Sequence, residues 1–172
     1  MFTYRKPLLI TAVSLAILSQ AAVAEDQFFP ITSYRVGPYG ANGQSFYGGF
    51  VDYLNYVNLK EGGINGVKIV WEECETEYNN AKGVECYERM KAKAKVSTGP
   101  IHTMSTGVAY ALIDKATEDK IPLAMMGYGR TDAVDGSVFP YAFPLVTTYQ
   151  MQASAILKFI KEKEKGSLEG KK

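Results

Sequence analysis

The residues best suited to chemistry in this sequence lie where a short apolar segment passes into a helical pattern, at Ser105, Thr106 and Gly107. The first turn of a helix offers backbone N–H groups without partners inside the helix, together with a partial positive charge. Two hydroxyl groups stand at the same place, so this segment can hold a carboxylate without an arginine or a lysine. The two hydroxyl residues could instead serve only as N-caps.

Two further loops carry residues that could contact a bound molecule. A glycine-rich loop at 37–44 contains Tyr39 and Asn42, and a second one follows at 126–131. The candidate binding residues of the second loop are Gly127, Tyr128, Gly129 and Thr131. Glycine lets a backbone approach a ligand closely, and a tyrosine ring can stack on it. Packing or plain surface exposure is the alternative role of both tyrosines.

Residue types needed for catalysis and for metal binding are scarce. His102 is the single histidine, and no acid or nucleophile partner for it is evident. The glycines at 37, 40 and 43 have the spacing G-x-x-G-x-x-G, which differs from the dinucleotide-binding spacing, and no Walker lysine follows them. We therefore expect no catalytic residue, no metal and no cofactor, and a protein that is not an enzyme.

The chain begins with an export signal. Residues 4–6 include two basic side chains, an apolar run follows at 7–18, and small residues precede Glu25. The apolar run has about a dozen residues, against the ~20 that a membrane-spanning helix needs. We expect cleavage after residue 24 and release into the periplasm. Residue 25 is not cysteine, so a lipoprotein is not expected.

Export changes the interpretation of Cys74 and Cys86, which are the only cysteines. An oxidising compartment permits them to form a disulfide, and two free thiols are the alternative. The formal net charge is +1 over 172 residues, with acids and bases interspersed. Because this charge creates no strong field, nucleic acid is not an expected partner, and a small neutral or zwitterionic ligand fits better.

Strand and helix patterns alternate along the chain after the export signal. Strands are predicted at 29–36, 67–71, 100–104, 123–126 and 139–145. Helices are predicted from Ser45 to the glycines at 62 and 63, after caps at Asn79 or Asn80 and at Ser105 or Thr106, and from a start near Thr148. This order predicts an α/β fold, a doubly wound parallel sheet with helices on both faces. Ligands of such sheets bind beyond the carboxyl ends of the strands.

A resemblance to a known family rests on several motifs. The run Gly48-Gly49-Phe50 and the sequence EGGINGVKI at 61–69 resemble the first helix and the GGINGxKI turn of the type I periplasmic binding proteins, branched-chain amino acid class. The similarity continues through 105–107, 120–122 and 127–131. It implies a Rossmann-like N-terminal lobe of a protein whose two lobes close on a ligand.

The resemblance also implies roles. In such proteins the loops after strands three and four hold the carboxylate and amino groups of the ligand, and the loop after strand one contacts its side chain. Those loops contain Ser105, Thr106, Gly127, Gly129 and Thr131, and then Tyr39 and Asn42. The implied function is the substrate-binding component of an ABC importer, delivering a branched-chain or other hydrophobic amino acid to a membrane permease. Tyr128 and Arg130 replace small residues of the family and leave room for an aromatic or other carboxylate.

By the same resemblance, residues 25–147 form the N-terminal lobe, and residues 148–172 form the hinge crossing and the first helix of a second lobe that is mostly absent. We then expect Ile156 and Phe159 to be exposed. Two alternatives remain at this stage: an exported ligand-sensing lobe of a receptor, and a binding protein for an aromatic acid, an amide or a urea-like solute. An exported enzyme would need catalytic residues that the sequence does not show.

Overall fold

The structure is a computed structural model that describes residues 25–94, 97–126, 129–164 and 166–170. The strands are β1 (Gln27–Ser33), β2 (Ile69–Glu75), β3 (Ile101–Thr103), β4 (Leu123–Met125) and β5 (Ala142–Pro144). The α-helices are α1 (Gly40–Glu61), α2 (Asn80–Lys91), α3 (Thr106–Asp119) and α4 (Tyr149–Lys163), and a short 3-10 helix spans Thr131–Val134. The expected export signal, Gly127 and Tyr128 lie outside the described residues.

All five strands form one parallel sheet in the order β2-β1-β3-β4-β5. This arrangement confirms the predicted doubly wound α/β fold. The chain moves outward from β1 to β2 and then returns past β1 to β3, so the direction of winding reverses between β1 and β3. A reversal of this kind opens a crevice at the carboxyl ends of the two strands, where ligands of such sheets bind.

Helices cover both faces of the sheet. Side chains along each strand alternate between the faces, so both faces carry apolar side chains that need covering. Ile31 of β1 is paired with His102 of β3, so both side chains point to the same face of the sheet. Helix α1 covers this face: its Phe46 contacts His102, and its Leu54 belongs to the same apolar cluster as Ile31. Ile101, the next residue along β3, points to the other face and belongs to the cluster that includes Leu112 of α3. The sheet is thus enclosed between α1 and the pair formed by α2 and α3.

Most helix ends follow local signals in the sequence. Side chains of Asn79, Ser105 and Thr148 cap the starts of α2, α3 and α4 by accepting a hydrogen bond from a backbone N–H of the first turn. Gly62 ends α1 in a left-handed conformation, with φ of 71°. Caps of this kind depend on neighbours in sequence, which is why the sequence predicted them.

The start of α1 differs from the prediction. A loop was expected at 37–44, but the helix begins at Gly40, so Asn42 lies in its first turn. A Cβ atom at Gly43 would lie 1.8 Å from the carbonyl oxygen of Tyr34, and one at Gly40 would lie 2.8 Å from that of Arg35. These glycines therefore let the helix start pack directly on the end of the first strand, rather than forming a turn.

Helix α4 packs on the rest of the chain less than the other helices do. None of its residues, all of which the structure describes, is buried, and Ile156 and Phe159 are 59% and 60% exposed. Their exposure agrees with the expectation from the sequence. No helix in the described ranges combines the length and the apolar character that crossing a membrane requires.

Candidate ligand-binding site

The three loops singled out from the sequence lie side by side. They follow β1, β3 and β4, which are consecutive in the sheet, and parallel strands bring their carboxyl ends to one edge. Neighbouring strands are about 5 Å apart, so one small molecule can contact all three loops. The fold therefore brings those candidate residues that the structure describes to the crevice between β1 and β3 and to the strand end beside it.

The start of α3 is held firmly in place. Ser105 is buried, and its Oγ accepts the backbone N–H of Val108 at 3.3 Å. The hydroxyl of Thr103 donates to the carbonyl oxygen of Ser105 and accepts its N–H, both at 3.2 Å. Ser105 is thus an N-cap, and its hydroxyl hydrogen is still able to donate to an anion. The capping role and the binding role are compatible.

Thr106 and Gly107 differ in what they face. The Oγ1 of Thr106 lies 2.9 Å from the phenol oxygen of Tyr149, which begins α4. A Cβ at Gly107 would come within 2.4 Å of the Oδ1 atom of Asn80, so this glycine allows α3 to approach the start of α2. Thr106 thus faces the start of α4, whereas Gly107 faces the start of α2.

The loop after β4 forms hydrogen bonds with the start of α4. The carbonyl oxygen of Gly129 accepts the N–H of Tyr149 at 3.4 Å. Thr131 opens the 3-10 helix, and its hydroxyl donates to that of Thr148, the buried N-cap of α4, at 3.4 Å. Arg130 lies over the ring of Tyr110, 5.8 Å from the ring centre. Hydroxyl groups from three segments therefore gather along this edge.

The loop after β1 presents an aromatic surface. Tyr39 is 49% exposed, and its ring contacts that of Tyr78 with centres 4.3 Å apart. Tyr78 in turn packs edge-on against Tyr34, at 4.9 Å. Asn42 is exposed in the first turn of α1. The sequence identified Tyr39 but not its partner, because Tyr78 follows β2 and no local pattern connects the two loops.

Tyr149 also escaped the sequence analysis. The sequence predicted a helix start near Thr148, yet nothing nearby in sequence indicated that Tyr149 would reach α3. The contact between Tyr149 and Thr106 spans 43 positions of the chain. A cap followed by an aromatic residue was the only available signal, and it does not specify a partner.

The Arg35 side chain near the crevice is paired with a carboxylate. Arg35 makes a two-point contact with the Glu73 carboxylate, and its hydrogen bond lowers the pKa of Glu73. The backbone N–H of Arg35 donates to Glu75 at 2.6 Å. Because the Arg35 guanidinium is paired with Glu73, hydroxyls, helix-start amides and aromatic rings are the groups suited to binding an anion there.

His102 lies on β3 just before the site. Its ring packs against both the Phe46 and Phe50 rings of α1, with centres 5.4 and 5.3 Å away. Burial lowers its pKa to about 4, and its Nδ1 has no hydrogen-bond partner among the described residues. A neutral, buried imidazole that packs against two phenyl rings is a packing residue, as the sequence favoured.

The structure joins Cys74, at the end of β2, to Cys86 in α2 by a disulfide. The two Cα atoms are 5.8 Å apart. Within the described residues, no group of three or more histidine, cysteine, aspartate or glutamate side chains is arranged to hold a metal ion. The site as described can bind an anion with an apolar or aromatic body, and no described constellation in it provides a nucleophile and a base.

Comparison with known proteins places this geometry in context. The model of a family described as periplasmic binding protein matches residues 29–169. A crystal structure named as an ABC transporter permease from the Pseudomonas fluorescens group is 49% identical in sequence, with a TM-score of 0.74. The match covers 82% of this chain and 34% of that chain. No curated protein matches this chain in sequence.

More distant structures share the fold. A branched-chain amino acid ABC transporter from Thermus thermophilus with bound valine is 21% identical, with a TM-score of 0.68 over 81% of this chain and 35% of that one. A fatty acid ABC transporter substrate-binding protein from Thermomonospora curvata is 20% identical, with a TM-score of 0.68 over 81% of this chain and 34% of that one. The present chain thus spans about a third of the length of each of these structures.

Proposed function

The chain belongs to the periplasmic binding protein family, type I, and we propose that it is the ligand-binding lobe of an ABC importer component that captures a small carboxylate. The favoured ligands are branched-chain or other hydrophobic amino acids and related acids. The lobe binds and releases its ligand without chemical change, so the proposed protein is not an enzyme.

One observation carries the proposal: the amide-rich start of α3 lies at the same sheet edge as two other loops that offer hydroxyls and an aromatic ring. Ser105 and Thr106 bring hydroxyl groups to the helix start, where N–H groups and the helix dipole favour an anion. Tyr39 provides apolar surface at the neighbouring strand end. A carboxylate with an apolar body fits this combination better than a cation or a phosphate-rich ligand.

The relatives support a carboxylate without deciding which one. Valine, bound in the Thermus protein, and the fatty acids for which the Thermomonospora protein is named both carry this group. They differ in the amino group and in the size of the apolar part. On this view the helix start binds the shared carboxylate, and the surrounding loops select the rest of the ligand.

We propose that the ligand is held between this lobe and a second one. Residues 25–147 are the proposed N-terminal lobe, and residues 148–172 the hinge crossing and the first helix of the partner lobe. The exposed apolar residues of α4, Ile156 and Phe159 among them, support this assignment because such a face is normally covered in a folded protein. The proposed leader at 1–24 directs export to the periplasm, and the proposed receiver of the ligand is a membrane permease.

Binding measurements on the protein that carries this lobe at its full length test the proposal. Calorimetric titration with L-leucine, L-valine, L-phenylalanine, phenylacetate and octanoate should give saturable binding for at least one acid. Acetamide and urea serve as uncharged comparisons. Binding of the uncharged solutes alone would favour the amide or urea alternative. The absence of detectable binding for every acid would overturn the proposed function.

A further inference from the structure

We infer that Tyr78 is a positioning residue that sets the ligand preference of this site, by holding Tyr39 as a fixed aromatic wall that selects acids carrying a flat ring. The inference rests on the proposed function. It concerns a residue of the loop after β2, which is separate from the three loops that surround the crevice. The disulfide that closes this loop helps to hold Tyr78 in the same position.

Three tyrosine rings form a continuous column at the carboxyl ends of β1 and β2. Tyr34 is buried, Tyr78 is partly buried, and Tyr39 is half exposed at the outer end. The ring of Tyr78 touches both others, with centres 4.9 Å from Tyr34 and 4.3 Å from Tyr39. Tyr78 thus connects the exposed ring to the core of the lobe, and one side of the Tyr39 ring is fixed by this contact.

The backbone of Tyr78 is in a conformation that L-residues rarely adopt. Glu77 and Tyr78 both have positive φ angles, 52° and 60°. Two consecutive non-glycine residues in this region are strained, and such strain persists only where the surroundings enforce it. Without that conformation the chain direction after β2 would change, and the Tyr78 ring would leave its place between the other two.

Hydrogen bonds from two strands enforce this turn. One carboxylate oxygen of Glu75 accepts the N–H of Glu77 at 2.7 Å, and the other accepts the N–H of Arg35 at 2.6 Å. The hydroxyl of Thr76 donates to the carbonyl oxygen of Ser33 at 2.7 Å. The loops after β1 and β2 are therefore tied together by side chains of β2 and of the residue that follows it.

Close backbone contact adds to this tie. A Cβ at Gly37, whose φ is 83°, would lie 3.0 Å from the carbonyl oxygen of Glu77. Gly37 precedes Tyr39 by two positions, so the strained turn also supports the segment that carries the exposed ring. A displacement of either loop would move the other.

The disulfide encloses the turn. Cys74 lies before it and Cys86 lies in α2 beyond it, so the closed loop contains both strained residues. Asn79 caps α2 inside the same loop by accepting the N–H of Lys82 at 3.0 Å. The bridge limits the conformations in which the turn could relax. It thereby helps to keep Tyr78 in contact with Tyr39.

This arrangement points to a class of ligand. The carboxylate would lie at the start of α3, and a ring attached to it would stack on the exposed side of Tyr39, because stacking needs a flat, immobile partner. Small ringless acids with the same head group, such as alanine and acetate, would gain little from the wall. The wall thus separates ring-bearing acids from small ones.

The test compares matched ligands on the protein at its full length. L-phenylalanine is paired with L-alanine, and phenylacetate with acetate, in calorimetric titrations of the wild type and of Tyr78→Leu. We expect the wild type to bind the ring-bearing member of at least one pair more tightly. Tyr78→Leu should weaken that member by about threefold to tenfold, while the affinity for its ringless partner stays within about twofold.

Variants of known exposure and chemistry serve as controls. Tyr78→Phe keeps the ring and should bind as the wild type does. Tyr53→Ala removes an exposed tyrosine of α1 outside the ring column and should also leave the affinities unchanged. The double variant Cys74→Ser/Cys86→Ser should reproduce the ring-specific loss, and combining it with Tyr78→Leu should add little, since both act through one contact.

The outcomes separate this inference from the function on which it rests. If the wild type binds an acid of the panel but shows no preference for a ring, or if Tyr78→Leu weakens both members of a pair equally, the inference fails and the carboxylate site stands. Additive losses from the disulfide and Tyr78 variants would show that the disulfide does not act through the contact of Tyr78 with Tyr39. If no acid binds at all, the proposed function fails, and the inference fails with it.

Discussion

The hydroxyl of Thr106 lies 2.9 Å from the phenol oxygen of Tyr149, so the first residues of α3 and α4 are in direct contact. Helix α3 follows the central strand β3, whereas α4 follows the edge strand β5. A hydroxyl at the proposed anion site is therefore in contact with the helix that we propose as the first of the partner lobe. Movement of α4 would change the hydrogen bonding of the residue that we expect to bind the carboxylate.

Replacing Thr106 by alanine should weaken ligand binding while preserving the fold. The change removes one hydroxyl at a partly buried position, and a hydrogen bond to a charged group contributes about 1.5–3 kcal/mol, or roughly a tenfold to hundredfold change in Kd. Calorimetry with the best acid of the panel measures the effect. Thr106→Ser retains the hydroxyl and should bind nearly as the wild type does. Unchanged affinity of the alanine variant would remove Thr106 from the site.

Stability should depend on pH through His102. Its pKa is about 4 in the folded protein, below the ordinary value of 6.5, so the unfolded chain takes up a proton first as the pH falls. This contribution is fully present above pH 6.5 and is lost between pH 6.5 and about 4, amounting to roughly 3 kcal/mol.

Urea unfolding at several pH values measures this dependence. In His102→Leu the part of the slope between pH 6.5 and 4 should disappear, because no group at that position titrates. Acidic residues such as Glu73, whose pKa is lowered by Arg35, contribute at lower pH and remain in both proteins. An identical slope in the variant would contradict the assignment.

Asn58 should protect the exposed edge of the sheet. Its side-chain amide donates to the carbonyl oxygen of Ile69 at 2.7 Å and accepts the N–H of Ile69 at 2.9 Å, as a neighbouring strand would. Asn58→Ala should lower the free energy of unfolding by about 1–3 kcal/mol. It should also increase aggregation, because the unpaired backbone N–H and carbonyl groups of Ile69 can then pair with another chain. Asn55→Ala, an exposed change on the same helix, is the control. Equal stability of the two variants would exclude this role.

Two glycines of α1 should respond in opposite ways to the same substitution. Gly43→Ala places a methyl group 1.8 Å from the carbonyl oxygen of Tyr34 and should destabilise strongly, by about 3 kcal/mol or more. Gly48→Ala meets nothing within 4 Å and should stabilise the helix by about 0.5–1 kcal/mol. Chemical unfolding of both variants tests the pair. Similar effects would mean that α1 does not lie on β1 as described.

Prediction from the sequence worked best where the signals are local. The caps at Asn79 and Ser105 were identified within one residue, because each depends on a side chain and a backbone N–H only a few positions apart. The last helix was predicted to start near Thr148, which the structure shows to be its cap. The start of α1 was predicted five residues late, at Ser45 instead of Gly40. Glycines there looked like turn residues, although their role is to allow close packing against a strand that precedes them.

The sequence alone determined the parallel α/β class, the family and the edge of the sheet at which the candidate loops meet. These follow from alternating hydrophobic patterns and local motifs, which act over short stretches of chain. Only the tertiary structure decided which loops touch: Tyr78 with Tyr39, Thr106 with Tyr149, and Asn58 with Ile69. Such contacts arise when strand order and helix packing bring distant segments together, and no local pattern encodes the partner that a side chain will meet.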